Sequence, residues 1–140
     1  MRDQDQRRGV AGTLLMTLLM VAGVAAADGD LRLVGAARNQ DQQQVRRLLS
    51  QHVDVNVRSD DGSTALLWAA HWNDVGTADL LLRAGADANA ANDLRITPLS
   101  VACTNGSAPL VGLLLKAGAK PNTVIATGET PLMTCASSGS

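Results

Sequence analysis

The chain predicts an all-α solenoid of stacked helix–turn–helix units, and three observations predict it. The first is a repeat. Residues 64–89, TALLWAAHWNDVGTADLLLRAGADAN, recur without a gap as residues 97–122, TPLSVACTNGSAPLVGLLLKAGAKPN, an offset of 33. Thr64, Thr97 and Thr130 fall in register, as do Leu66, Leu99 and Leu132, Gly85 and Gly118, and Asn56, Asn89 and Asn122. A fixed period of this size marks a repeat array in which each unit buries its apolar face against the next. The second is composition. Hydrophobic residues make up 46% of the chain, yet it has two Trp, no Phe and no Tyr. Ala and Leu therefore supply the apolar bulk, and small side chains let helices stack closely. The third is helical spacing, seen in Leu66, Ala69 and Ala70 and again in Ala78, Leu81 and Leu82.

At 140 residues the chain is long enough for one domain, and its net charge is −1. Setting aside the first 27 residues leaves nine basic and eleven acidic side chains, net −2. A nucleic-acid partner would ask for a basic stripe, and none is present. Cys103 and Cys135 are too few for a disulfide framework and lack metal-ligand spacing. His71 lies close to Asp74, but no nucleophile, oxyanion donor or second carboxylate accompanies them, so catalysis is not expected. No cofactor, metal or small-molecule substrate is expected either.

The opening residues read as an export signal. Arg2, Arg7 and Arg8 make a net basic start, residues 10–24 are uncharged and apolar, and Ala25, Ala26 and Ala27 precede Asp28. A basic region, a short apolar run and a small-residue junction form a secretory signal peptide. Cleavage after Ala27 is expected, with the periplasm or the cell exterior as destination. The competing reading is an uncleaved anchor, but a spanning helix needs about 20 apolar residues. Membrane association is expected only if this segment stays attached.

The first repeat, about residues 31–63, is degenerate: Leu31 stands where later units have Thr, and His52 where they have Gly. Leu33, Ala36, Ala37, Val45, Leu48 and Leu49 keep the apolar pattern, while Gln40, Asp41, Gln42, Gln43 and Gln44 make a polar run beside Arg46 and Arg47. A polar terminal unit keeps an unpartnered face soluble. In the second repeat, 64–96, Thr64 is placed to N-cap the first helix. Asn73 and Asp74 interrupt it, and Gly85 ends the second helix in a left-handed C-cap. The third, 97–129, repeats the plan, with Pro98 and Pro109 just inside its two helices, where a missing N–H costs nothing. The fourth, 130–140, has a first helix and no second, so further repeats or another domain are expected to follow.

At these residues the units resemble ankyrin repeats. Thr97, Pro98 and Leu99, and Thr130, Pro131 and Leu132, match the family's TPL opening, and Thr64, Ala65 and Leu66 come close. Ala69 and Ala70, the Leu80–Leu82 run and residues 84–89 match its helix pair and exit. The resemblance spans about residues 31–140 and implies helix pairs joined by β-turn fingers in an L-shaped, slightly curved array. It also implies a protein-interaction module whose partner meets the fingertips and the exposed side of the first helices. Carried onto this chain, that surface comprises Arg58, Asp60, Asp61 and Ser63 in the first finger, and His71 and Trp72 at the end of a helix. Asn92, Asp93, Leu94 and Ile96 follow in the second finger, then Thr104 and Asn105, with Val124, Ala126, Thr127 and Glu129 beyond. Trp72 is the expected hot spot, since tryptophan buries a large rigid area and keeps an N–H; Trp68 is expected in the core.

Two departures stand out. The family's histidine after TPL is replaced by Leu67, Ser100 and Met133. Arg95 takes the fingertip place held by Gly62 and Gly128, so the second finger is expected to differ in shape. Cys103 and Cys135 occupy neighbouring small-residue positions of adjacent first helices. Inert buried thiols and, in an oxidising compartment, a disulfide both fit. The expectation is an exported, non-catalytic protein-binding scaffold; the alternative is the amino-terminal scaffold of a larger exported enzyme or receptor.

Overall fold

The structure is a computed structural model and describes residues 30–139. The expected signal segment lies outside the described residues. Among the described residues seven helices follow one another: α1 (Arg32–Arg38), α2 (Gln42–Ser50), α3 (Ala65–His71), α4 (Val75–Arg83), α5 (Pro98–Thr104), α6 (Ala108–Lys116) and α7 (Pro131–Ser138). No strand occurs among the described residues. The first helices α1, α3, α5 and α7 pack in a row, the second helices α2, α4 and α6 form a parallel row, and each pair packs on itself.

Local chemistry sets where each helix begins and ends. Thr64, Thr97 and Thr130 are extended N-caps whose hydroxyls accept from the backbone N–H of Leu67, Ser100 and Met133 at 3.2–3.3 Å. The Ser100 hydroxyl in turn accepts from the Thr97 N–H at 3.1 Å, completing a reciprocal cap. Asp41 and Asp74 cap α2 and α4 through the N–H groups of Gln44 and Thr77. Between helices the chain reverses through left-handed residues in register: Gln40, Asn73 and Gly106, with φ of 59°, 54° and 64°. A second left-handed position, at His52, Gly85 and Gly118, ends the second helices.

Alanine makes the stack tight. Ala65, Ala69 and Ala70 on α3 and Ala102 on α5 are buried, with Leu66, Leu99, Leu81 and Leu114 filling the space between rows. Val45 and Leu48 anchor α2 while Gln43, Arg46 and Arg47 face solvent, the outward polarity of a terminal unit.

The finger turns share one shape. The N–H of Ser59, Asn92 and Ile125 donates to the carbonyl of Ser63, Ile96 and Glu129, and the N–H of Gly62, Arg95 and Gly128 donates back to that of Ser59, Asn92 and Ile125. Arg95 thus adopts φ +60°, beside +76° for Gly62 and +85° for Gly128. The expected difference in the second finger does not occur. The turn's two backbone bonds and the Asn92 side chain hold arginine in the left-handed conformation, at a cost of about 1 kcal/mol. Gly62 has a further reason to lack a side chain: a Cβ there would come within 2.7 Å of Asp93 Oδ1 and 3.0 Å of the Asp93 nitrogen in the next finger.

Asparagines join one repeat to the next. Asn56 Nδ2 donates to the Gly85 carbonyl at 3.2 Å and its Oδ1 accepts from the Asp87 N–H at 2.8 Å. Asn89 repeats the pair with Gly118 and Lys120, at 3.0 and 2.8 Å. Each side chain makes two bonds across an interface, worth roughly 1–2 kcal/mol together. Asn56→Ala and Asn89→Ala are expected each to lower the stability of these 140 residues by about that amount, whereas Asn122→Ala, which has no such pair among the described residues, is expected to change it by less than about 0.5 kcal/mol. Urea denaturation of the three variants checks the ranking, and an equal loss at Asn122 would contradict it.

Candidate functional site

The inner helices and the fingers enclose a groove with two cavities. One, about 340 Å³, is lined by Leu31, Val34, Gly35 and Arg38 of the first repeat, by Ser59, Asp60 and Asp61 of the first finger, and by Trp68. The other, about 240 Å³, is lined by Asp61, Ser63, Leu67, Trp68 and His71 with Asn92, Ile96 and Val101. Trp68 and Asp61 belong to both. Trp68 packs against the core on one side, as its position on α3 requires, but it is only partly buried. Its remaining surface forms a wall of each cavity. The Arg38 guanidinium lies 5.3 Å from the Trp68 ring centroid, a cation–π contact.

An aromatic edge continues from Trp68. The His71 ring stands edge-on to Trp68 at 5.5 Å and to Trp72 at 4.9 Å. Trp72 is 44% exposed, while its Nε1–H donates to the Arg38 carbonyl at 3.0 Å. Asn105, at the same place one repeat on, donates through Nδ2 to the Ala70 carbonyl at 3.0 Å. Both side chains thus tie a first helix to the end of the one before it, and Trp72 has an indole face free above that tie.

The other expected contact residues divide by what they already hold. Asp60, Asp93 and Leu94 are exposed at the fingertips, Leu94 at 63%. Arg58 donates to the Ala91 carbonyl at 3.0 Å and joins the first finger to the second, and the Asp93 N–H donates to the Asp61 carbonyl. Asn92 Oδ1 accepts from the N–H of Leu94 and of Ile96, so the side chain shapes its own turn. Thr104 is exposed and its hydroxyl donates to the Ser100 carbonyl. Ser63 lines the smaller cavity but presents little surface. It is 3% exposed, and its hydroxyl donates to Asp61 Oδ2 at 2.9 Å, because the turn folds it under the aspartate. Farther along, Val124 is exposed at 52% and lies outside both cavities.

Sequence reasoning passed over Leu31, Val34, Gly35 and Arg38, having weighed the first repeat only as a cap or as a contact patch in its Gln-rich run. The period itself carries the signal: Arg38 lies 33 residues before His71, and Gly35 the same distance before Trp68. Gly35 lines the larger cavity opposite the tryptophan, and nothing lies within 4 Å of where its Cβ would be.

Away from the groove, Cys103 on α5 and Cys135 on α7 are joined by a disulfide, with their Cα atoms 4.4 Å apart. Among the described residues no group of three His, Cys, Asp or Glu side chains is placed to hold a metal.

The comparison with protein families decides what these units are. A family model described as ankyrin repeats (3 copies) matches residues 33–125 and 73–140. The chain belongs to the ankyrin repeat family. Ankyrin repeat domains are in general non-catalytic modules that bind protein partners. No curated protein matches the chain.

The charge at the centre of the groove is held firmly. Asp61 accepts from the Ser59 hydroxyl at 2.6 Å and from the Ser63 N–H and hydroxyl at 3.0 and 2.9 Å. The Ser59 bond foremost, then those from Ser63, bring its pKa from 3.8 down to about 2. A carboxylate with a depressed folded-state pKa stabilises the fold above its unfolded value and loses that contribution as pH falls through the folded one. The first finger is therefore expected to stay closed to about pH 4 and to loosen toward about pH 2. Following the Ser63 amide by NMR should give a midpoint near 2; a midpoint near 4 would show that these bonds do not hold the carboxylate.

Proposed function

We propose that the chain is an exported, non-catalytic scaffold that binds one protein partner along the groove between its fingers and inner helices. The observation that carries this reading is the pair of cavities divided by Trp68 and Asp61. A partner segment lying along the groove sets an apolar side chain in each cavity against the indole, with Asp60, Asp93 and Leu94 meeting it at the fingertips. The surface is preorganised. The finger turns are closed by backbone bonds, Asn92 and Asp61 are committed to their own turns, and little ordering cost is left to binding. Tryptophans in partly enclosed pockets carry a disproportionate share of interface energy. Trp68 takes the leading role, with Trp72 and His71 extending the contact. Export is supported by the basic, apolar and small-residue pattern of residues 1–27, and a disulfide accords with an oxidising compartment.

Two experiments test the two halves of this reading. In capture from a periplasmic extract, Trp68→Ala is expected to weaken retention of the partner at least about 30-fold, a hot-spot loss of about 2 kcal/mol, and Trp72→Ala by less. Far-UV circular dichroism controls for folding, and His71→Ala serves as a milder probe of the same wall. Retention unchanged in all three folded variants would place the contacts elsewhere. For export, the full chain produced in a bacterium with a periplasm is expected in the periplasmic fraction with Asp28 as its first residue by intact mass. A chain retained in the cytoplasm with residues 1–27 attached would contradict this.

A further inference from the structure

Asp61 is exposed, lines both groove cavities and has no cation beside it. Among the described residues the ion pairs are Asp30 with Arg32 and Asp79 with Arg83. The three hydrogen bonds that Asp61 accepts come from uncharged donors, two to Oδ1 and one to Oδ2. A carboxylate oxygen has room for two, so Oδ2 can take another donor. The bonds from Ser59 and Ser63, which bring the pKa down to about 2, keep the group charged at neutral pH.

The nearby basic side chains do not answer this charge in the smaller cavity. Arg38 lies against the indole and lines the larger cavity, not the smaller. Arg58 is engaged with the Ala91 carbonyl, and Arg95 lines neither cavity. Besides Asp61, the titratable group in the smaller cavity is His71, whose ring stands edge-on to both tryptophans. Trp68, Leu67, Ile96 and Val101 make the apolar part of its wall. The smaller cavity is thus an apolar slot of about 240 Å³ with a carboxylate at its edge.

We propose that the smaller cavity takes a lysine or arginine side chain of the protein partner, with its apolar stem against Trp68, Ile96 and Val101 and its charged head on Asp61. This inference rests on the groove reading above and sharpens it for one of the two cavities. Long basic side chains lay their methylenes on apolar surface and keep the charged end at a polar rim. A purely apolar side chain would cover Asp61 and take water from Oδ2 without replacing its hydrogen bond, which is unfavourable. An acidic one would meet a like charge. The larger cavity differs, because Arg38 there accompanies Asp60 and Asp61, and an uncharged apolar side chain suits it. The partner segment therefore carries a basic residue close to an apolar one.

The test uses a random peptide library displayed on phage. It is panned on the immobilised full chain and counter-selected on folded Trp68→Ala, so that groove binders are kept. The selected peptides are expected to share a lysine or arginine near an apolar residue. In a synthetic copy of one of them, norleucine in place of the basic residue keeps the stem and removes the charge. That exchange is expected to weaken binding about tenfold. Asp61→Asn should weaken the parent peptide about as much and the norleucine peptide less than about twofold, since the pair is already gone. Raising salt from about 0.05 M to about 0.5 M should weaken the parent peptide several-fold and leave the norleucine peptide nearly unchanged. Trp68-dependent peptides without a basic residue, equal loss of both peptides on Asp61→Asn, or equal salt dependence would overturn this inference and leave the groove reading standing. Recovery of no Trp68-dependent peptide would overturn both.

Discussion

The amide side chains of Asn56 and Asn89 set the spacing on which the rest of the structure depends. Each uses its donor and its acceptor at once, giving Nδ2–H to the carbonyl that ends the next second helix and taking an N–H two residues beyond it. A group with only one of these functions would leave a partner unmet at every junction. The pair therefore locks the exit loop of one repeat to that of the next at a fixed distance. Alanines at the helix contacts then determine how close the rows approach, since Ala65, Ala70, Ala78 and Ala102 are wholly buried and present no bulk.

Everything in the groove follows from that spacing. Fingers held in register place Asp61 under the N–H of Asp93, and Gly62 is required there because a side chain would strike the neighbouring turn. The same register carries Arg38 over Trp68 and the Trp72 N–H onto the Arg38 carbonyl, so three residues from two repeats make one rigid aromatic wall. A backbone conformation that arginine would avoid alone is tolerated at Arg95, because the turn's two backbone bonds and the Asn92 side chain define it from both sides. The cost of one left-handed residue is small beside what the aligned array gains.

The elements with local causes were legible in the sequence. Thr64 caps α3 because a threonine before an apolar helical stripe has no better use for its hydroxyl. Asn73 breaks the helix because it tolerates the left-handed turn better than most residues. The less legible residues are those whose role depends on a neighbour one repeat away. Ser63 reads as a polar fingertip residue and is buried beneath Asp61. Trp68 reads as core and is only partly buried, because it packs on the core on one side and lines both groove cavities on the other. Arg38 and Trp72 look unrelated in sequence, and a hydrogen bond joins them.

By itself the sequence determined the repeat period, the helix pairs and their caps, because each depends on contacts within about four residues or on the recurrence of one pattern. The tertiary structure alone decided which side of Trp68 faces the groove and that Arg38 covers it. It also decided that Cys103 meets Cys135. The physical reason is common to all three. Each is settled by the distance and rotation between neighbouring repeats, and those are set by amide bonds and alanine contacts that span about 30 residues of chain and leave no local trace.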